Sequence, residues 1–141
     1  VQELYNEPLY LVYHQSDASS ANARSMSDLN LSHLLLLEEG HCLREHTLSA
    51  CSIGELKRES SLSASSLPTL IQMVQAQLGF TLLPAIAVNS GILNNQPQLK
   101  VKSIEQAPER ILALLTRKSS PLHAEFAQFA QLLLPIVKAA K

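Results

Sequence analysis

The stretch SLPTLIQMVQAQLGFTLLP, residues 66–84, decides the fold class. Ser66 can cap a helix whose first turn holds Pro68, and Leu67, Leu70, Ile71, Val74 and Leu78 recur at helical spacing along one face. Gly79 is expected to stop this helix, and FTLLP runs on directly as a strand. Upstream, LSHLLLLEE (31–39) reads as a strand buried on both faces, ended by Gly40, and HCLREHTLSAC (41–51) as a helix with Leu43 and Leu48 toward a core. PLYLVYHQ (8–15) is a further strand, followed by SDASSANARS (16–25) as a small polar linker. Downstream, LKVKSI and RILALLTRK read as strands. A last helix starts at Ser120-Pro121, presents Leu122, Phe126, Phe129, Leu133 and Ile136 on one face, and is kinked by Pro135. Strands alternating with helices predict an α/β fold with a largely parallel sheet. No internal repeat is visible.

The 141 residues, 46% of them apolar and only 4 of them glycine, suffice for one compact domain or two small lobes. A net charge of −1 with scattered Lys and Arg offers no basic face for nucleic acid. Apolar runs such as LPAIAV and QLLLPIV fall well short of the roughly 20 residues of a membrane helix. The expectation is a soluble chain, read as a piece of something longer because it begins with Val1. Two cysteines without a secretory leader predict free thiols in a reducing cytosol.

Reactive chemistry concentrates in EEGHCLREHTLSAC, residues 38–51. Cys42, Cys51, His41 and His46 could together ligate zinc, but no finger spacing or CxxC occurs, so no metal is assigned. A nucleophile is the better fit: Gly40 precedes Cys42 where a helix begins, so free N–H groups and Arg44 could stabilise a thiolate. Inert, partly buried thiols remain an equal alternative on residue chemistry alone. His14, His33 and His123 lack acidic partners at ligand spacing and read as structural or surface residues. Ser65, Ser66 and Thr69, at a helix start, could hydrogen-bond a small anion, although capping also explains them. No nucleotide-binding loop or paired-carboxylate site appears, and no cofactor is expected.

LLLLEEGHCLREHTLSAC (34–51) with SSLPTLIQMVQAQLGFTLLPAIAV (65–88) resembles the effector domain of LysR-type transcriptional regulators. The helix followed by GFTLLP is general to that family. GHCLRE with a second cysteine nine positions on is similar to its peroxide-sensing OxyR branch, and ILALLTRKSSPL (111–122) extends the likeness. The resemblance implies a periplasmic-binding-protein-like fold with one nearly complete subdomain, residues 14–109, and part of another, residues 1–13 and 110–141. It implies a sensor rather than an enzyme, with Cys42 as the peroxide-reactive thiol and Cys51 as its resolving partner. His41, Leu43, Arg44, Glu45 and Thr81 would neighbour the peroxide site, with Glu45 standing where an aspartate is usual. Hydrogen peroxide as signal, a homodimer, a thiol reductant such as glutaredoxin, RNA polymerase, a cytoplasmic location and DNA contact through an absent N-terminal helix-turn-helix belong to the same implication. The alternatives are a LysR-type domain binding a small organic effector through Ser65, Ser66 and Thr69, and a thiol peroxidase.

If residues 41–51 form one helix, nine steps of 1.5 Å put the two cysteine α-carbons roughly 13 Å apart along its axis. A disulfide spans at most about 7 Å. The implied Cys42–Cys51 bond therefore requires that helix to unwind.

Overall fold

The structure, a computed structural model, describes residues 1–50 and 62–139. Strand β1 (Gln2–His14) is the axis of the main sheet. Its first half pairs with β6 (Glu109–Leu114), from Gln2 opposite Leu114 to Pro8 opposite Glu109. Its second half lies between β4 (Thr81–Pro84) and β5 (Leu99–Lys102), with Leu11 opposite both Leu82 and Lys102. Strands flank both edges there and helices pack against the sheet, and Leu9, Leu11, Val12, Tyr13 and His14 are all buried.

Every pairing of β1 is antiparallel, which corrects the expected parallel sheet. The chain returns alongside its first strand, so strand–helix alternation did not impose parallel neighbours. Among the described residues, parallel pairing is confined to the short β2 (Leu36–Leu37) with β3 (Ser63–Ala64) and to two isolated bridges, Ser25 with Glu105 and Leu34 with Phe80. The LSHLLLLEE stretch thus contributes a 3-10 turn at Leu31–His33 and only two strand residues, although Leu34, Leu35, Leu36 and Leu37 are all buried as expected. The expected polar linker holds a short helix, α1 (Ala18–Asn22), because the Asp17 carboxylate accepts both the N–H and the hydroxyl of Ser20.

Helices α2 (Cys42–Ala50) and α3 (Leu67–Gln75) form where the sequence places them. The Ser66 hydroxyl accepts the Thr69 N–H, and Leu70, Ile71 and Val74 are buried, each worth about 1.5–3 kcal/mol of transfer free energy. Gly79 does not end α3. Gln77 adopts the left-handed conformation, while Gly79 lies where an added Cβ would meet the His33 carbonyl oxygen at 2.1 Å. That close approach follows from the bridge at Leu34 and Phe80, in which Phe80 N donates to His33 O and Leu35 N to Phe80 O.

α4 (Ala85–Asn89) follows β4 directly. α5 (His123–Ala139) contains Pro135 and packs on β1, but Ala130 is its fully buried residue. Its expected core face is largely open, with Leu122, Phe129 and Ile136 exposed. Among the described residues, no helix is long and apolar enough to cross a membrane.

Candidate functional site around Cys42

Gly40, with φ at +92°, turns the chain out of β2, and Cys42 opens α2. Along α2, Leu43, Arg44, Thr47 and Leu48 are buried while Cys42, Glu45 and His46 are exposed, the division expected of a helix with one face on a core. Cys42 is a free thiol. Cys51 lies outside the described residues, and with it the cysteine pair and the four-ligand zinc set. Among the described residues, no group of three or more His, Cys, Asp or Glu could hold a metal ion.

The faces of α2 separate the predicted neighbours into two groups. Arg44 points inward, where Nη1 donates to the Leu37 carbonyl at 3.0 Å. It shares a tightly packed crevice with Leu43 and Thr81, whose hydroxyl donates to the Leu35 carbonyl at 2.9 Å. Arg44 and Thr81 therefore brace the buried side of α2 and the backbone of residues 35–37. Arg44 thus reaches the backbone beneath α2, while Cys42 lies on the exposed side of the same helix.

The outward group lines a cavity of about 460 Å³. Cys42, His41 and Leu43 border it from the α2 side, and Ser65, Ser66 and Leu67 from the start of α3. Pro84, Ile86 and Ala87 close it from β4 and α4, with Leu37 and Arg110 completing the lining. Residues expected for peroxide and those expected for an organic effector thus meet in one place. Thr69 and Glu45 are not in the lining; Thr69 is exposed and its hydroxyl and N–H both engage Ser66.

Sequence reading missed Arg110 and its partner. The Glu7 carboxylate is fully buried; one oxygen accepts from Arg110 Nε and the other from the Ile86 N–H at 2.7 Å. Arg110 is thereby held by its Nε, at the wall of the Cys42 cavity. The only local signal was a glutamate entering the apolar PLYLVYH strand. No spacing links it to a residue 103 positions away.

The LysR substrate binding domain family profile matches residues 1–136. The HTH-type transcriptional regulator EstR of Acinetobacter baylyi is 59% identical over 126 residues, which cover 89% of this chain and 42% of EstR. The DNA-binding transcriptional dual regulator OxyR of Escherichia coli is 34% identical over 135 residues, covering 91% of this chain and 42% of that protein. The chain thus spans under half the length of these curated relatives. Among solved structures, the reduced regulatory domain of OxyR2 from Vibrio vulnificus aligns with a TM-score of 0.78 at 33% identity, covering 95% of this chain and 63% of that one. A hydrogen-peroxide-bound cysteine variant of Corynebacterium glutamicum OxyR aligns with a TM-score of 0.80 at 32% identity, covering 99% and 45%. On the profile match and these relatives together, the chain belongs to the LysR family and carries its substrate binding domain.

Proposed function

We propose that this chain is the signal-receiving part of a transcription regulator in which hydrogen peroxide oxidises Cys42. The observation that carries the reading is the position of Cys42, a free, exposed thiol opening α2 at the wall of a cavity that also presents His41 and Arg110. Similarity to regulators named as hydrogen peroxide-inducible genes activators, at 35% identity for that of Dickeya chrysanthemi, supports it. In the first step the Cys42 thiolate attacks one peroxide oxygen, the O–O bond breaks, and the departing hydroxide takes a proton to leave as water. In the second, the Cys51 thiolate attacks the sulfenic sulfur, the S–O bond breaks, and the departing hydroxide takes a proton to leave as water as the disulfide forms. α2 is continuous over Cys42–Ala50, so closing the bond costs that helix much of its hydrogen bonding and the packing of Leu43 and Leu48.

In the longer protein, an N-terminal helix-turn-helix contacts DNA, the domain pairs as a homodimer, and a glutaredoxin-type thiol returns the disulfide to the reduced state in the cytoplasm. Activation proceeds through RNA polymerase. Residues 1–13 and 110–141 belong to part of one regulatory subdomain and residues 14–109 to the other. The domain reports an oxidation event and does not turn over peroxide as a thiol peroxidase does.

One observation favours a second reading, that of an organic effector: Ser65 and Ser66 line the same cavity as Cys42. EstR is described as an HTH-type regulator, a description that names no signal. Intact mass spectrometry before and after stoichiometric peroxide separates the readings. Loss of two hydrogens per chain, absent in Cys42→Ser, is expected; an unchanged mass with peroxide left unconsumed would overturn the sensor reading.

A further inference from the structure

We infer that the preferred oxidant of Cys42 is an organic hydroperoxide with an apolar body, admitted by the cavity between α2, α3 and α4. The inference rests on the peroxide reading and names the chemical class of the oxidant. A water molecule occupies about 30 Å³ of liquid volume, so hydrogen peroxide, with two oxygens, fills only a small part of the 460 Å³ beside Cys42. A cavity of this size matches those that hold whole organic ligands. Its walls are of two kinds: Leu37, Leu43, Leu67, Pro84, Ile86 and Ala87 present hydrocarbon, while Cys42, His41, Ser65, Ser66 and Arg110 are polar. An occupant with one hydroperoxide end and a hydrocarbon remainder satisfies both parts of the lining, and hydrogen peroxide satisfies only the polar part.

The chemistry balances for this oxidant. The Cys42 thiolate attacks the terminal oxygen of R–O–O–H and the O–O bond breaks. The sulfur keeps the OH as sulfenic acid, and the alkoxide takes a proton from water to leave as the alcohol R–OH. The thiol is oxidised by two electrons and the hydroperoxide is reduced by two.

The test uses full-length protein carrying Cys51→Ser, so that oxidation stops at the sulfenic acid, which dimedone traps and mass spectrometry counts. Rate constants are compared for cumene hydroperoxide and hydrogen peroxide. The cumene rate is expected to exceed the hydrogen peroxide rate by about tenfold or more, the discrimination an apolar pocket gives for added hydrocarbon. Ala87→Phe, which fills the cavity, is expected to bring that ratio close to unity with circular dichroism and the urea midpoint unchanged, which separates a filled cavity from a lost fold. A faster reaction with hydrogen peroxide, or a ratio that Ala87→Phe leaves unaltered, overturns the inference and leaves the peroxide reading standing. Failure of both oxidants to modify Cys42 overturns the two together.

Discussion

Glu7 and Arg110 stand opposite one another in the antiparallel register of β1 and β6, and the carboxylate of the first holds the guanidinium of the second. The pair also ties α4 to the sheet, because the second Glu7 oxygen accepts the Ile86 N–H. A carboxylate removed from water is tolerated only with both oxygens occupied.

Arg110→Ala leaves that carboxylate buried without its cation and is expected to destabilise the domain by about 3 kcal/mol in urea denaturation. The partial exposure of Arg110, 18% of its side chain, places the loss toward the low end for buried pairs. Combining Arg110→Met with Glu7→Gln should cost less than the sum of the two single changes, and strict additivity would count against the pairing.

Gly79→Ala is expected to be among the most damaging single-methyl additions in the chain. The new Cβ meets backbone, the His33 carbonyl oxygen at 2.1 Å, rather than a side chain that can turn aside. A loss of about 2–3 kcal/mol is expected, with early hydrogen exchange at Leu35 and Phe80, the amides of the adjoining bridge. Gly40→Ala, where an added Cβ meets nothing within 4 Å, gives the contrast: only its positive φ resists the change.

Tyr5 carries a buried hydroxyl with no hydrogen-bond partner among the described residues. Tyr5→Phe removes that unsatisfied group and should leave stability unchanged or raise it by up to about 1 kcal/mol. Burial, reinforced by the charges of Tyr10, Glu7 and Glu109, pushes the Tyr5 pKa up. A raised pKa gives stability that is present below the ordinary tyrosine value of 10.0 and is lost as pH rises through the folded value. Wild-type protein should therefore lose ground to Tyr5→Phe in strongly alkaline urea titrations.

Asp28 accepts the N–H groups of Arg24 at 2.8 Å and Ser25 at 2.9 Å, and these bonds lower its pKa from the ordinary 3.8. A depressed carboxylate pKa gives stability that is present above the unfolded value and lost as pH falls through the folded one. The difference in urea midpoint between wild type and Asp28→Asn should be constant near neutrality and shrink below about pH 4. A difference that instead grows on acidification would contradict the cap.

The elements that could be read along the sequence are those decided by neighbours a few residues apart. Ser66, Pro68 and the Leu70–Ile71–Val74 stripe specify α3 without reference to anything distant. For the same reason Cys42, His41 and Leu43 could be grouped, and Ser65 and Ser66 recognised as one cluster. Orientation was not legible, because Leu11 and Val12 read as the same apolar strand whether their partners run parallel or antiparallel. The cation on the cavity wall was hidden similarly, because no local spacing ties Arg110, from the far end of the chain, to Cys42.

The central position of β1 has a consequence for synthesis. Its sheet partners are residues 81–84, 99–102 and 109–114, so β1 is made well before any of the strands that flank it. At ribosomal rates of about 5–20 residues per second, Leu9, Leu11 and Val12 wait roughly 4–18 s before their partners in β4 and β5 emerge. During that interval an apolar strand with both edges open is exposed to aggregation, and a holding chaperone that binds extended apolar peptides would find a target there.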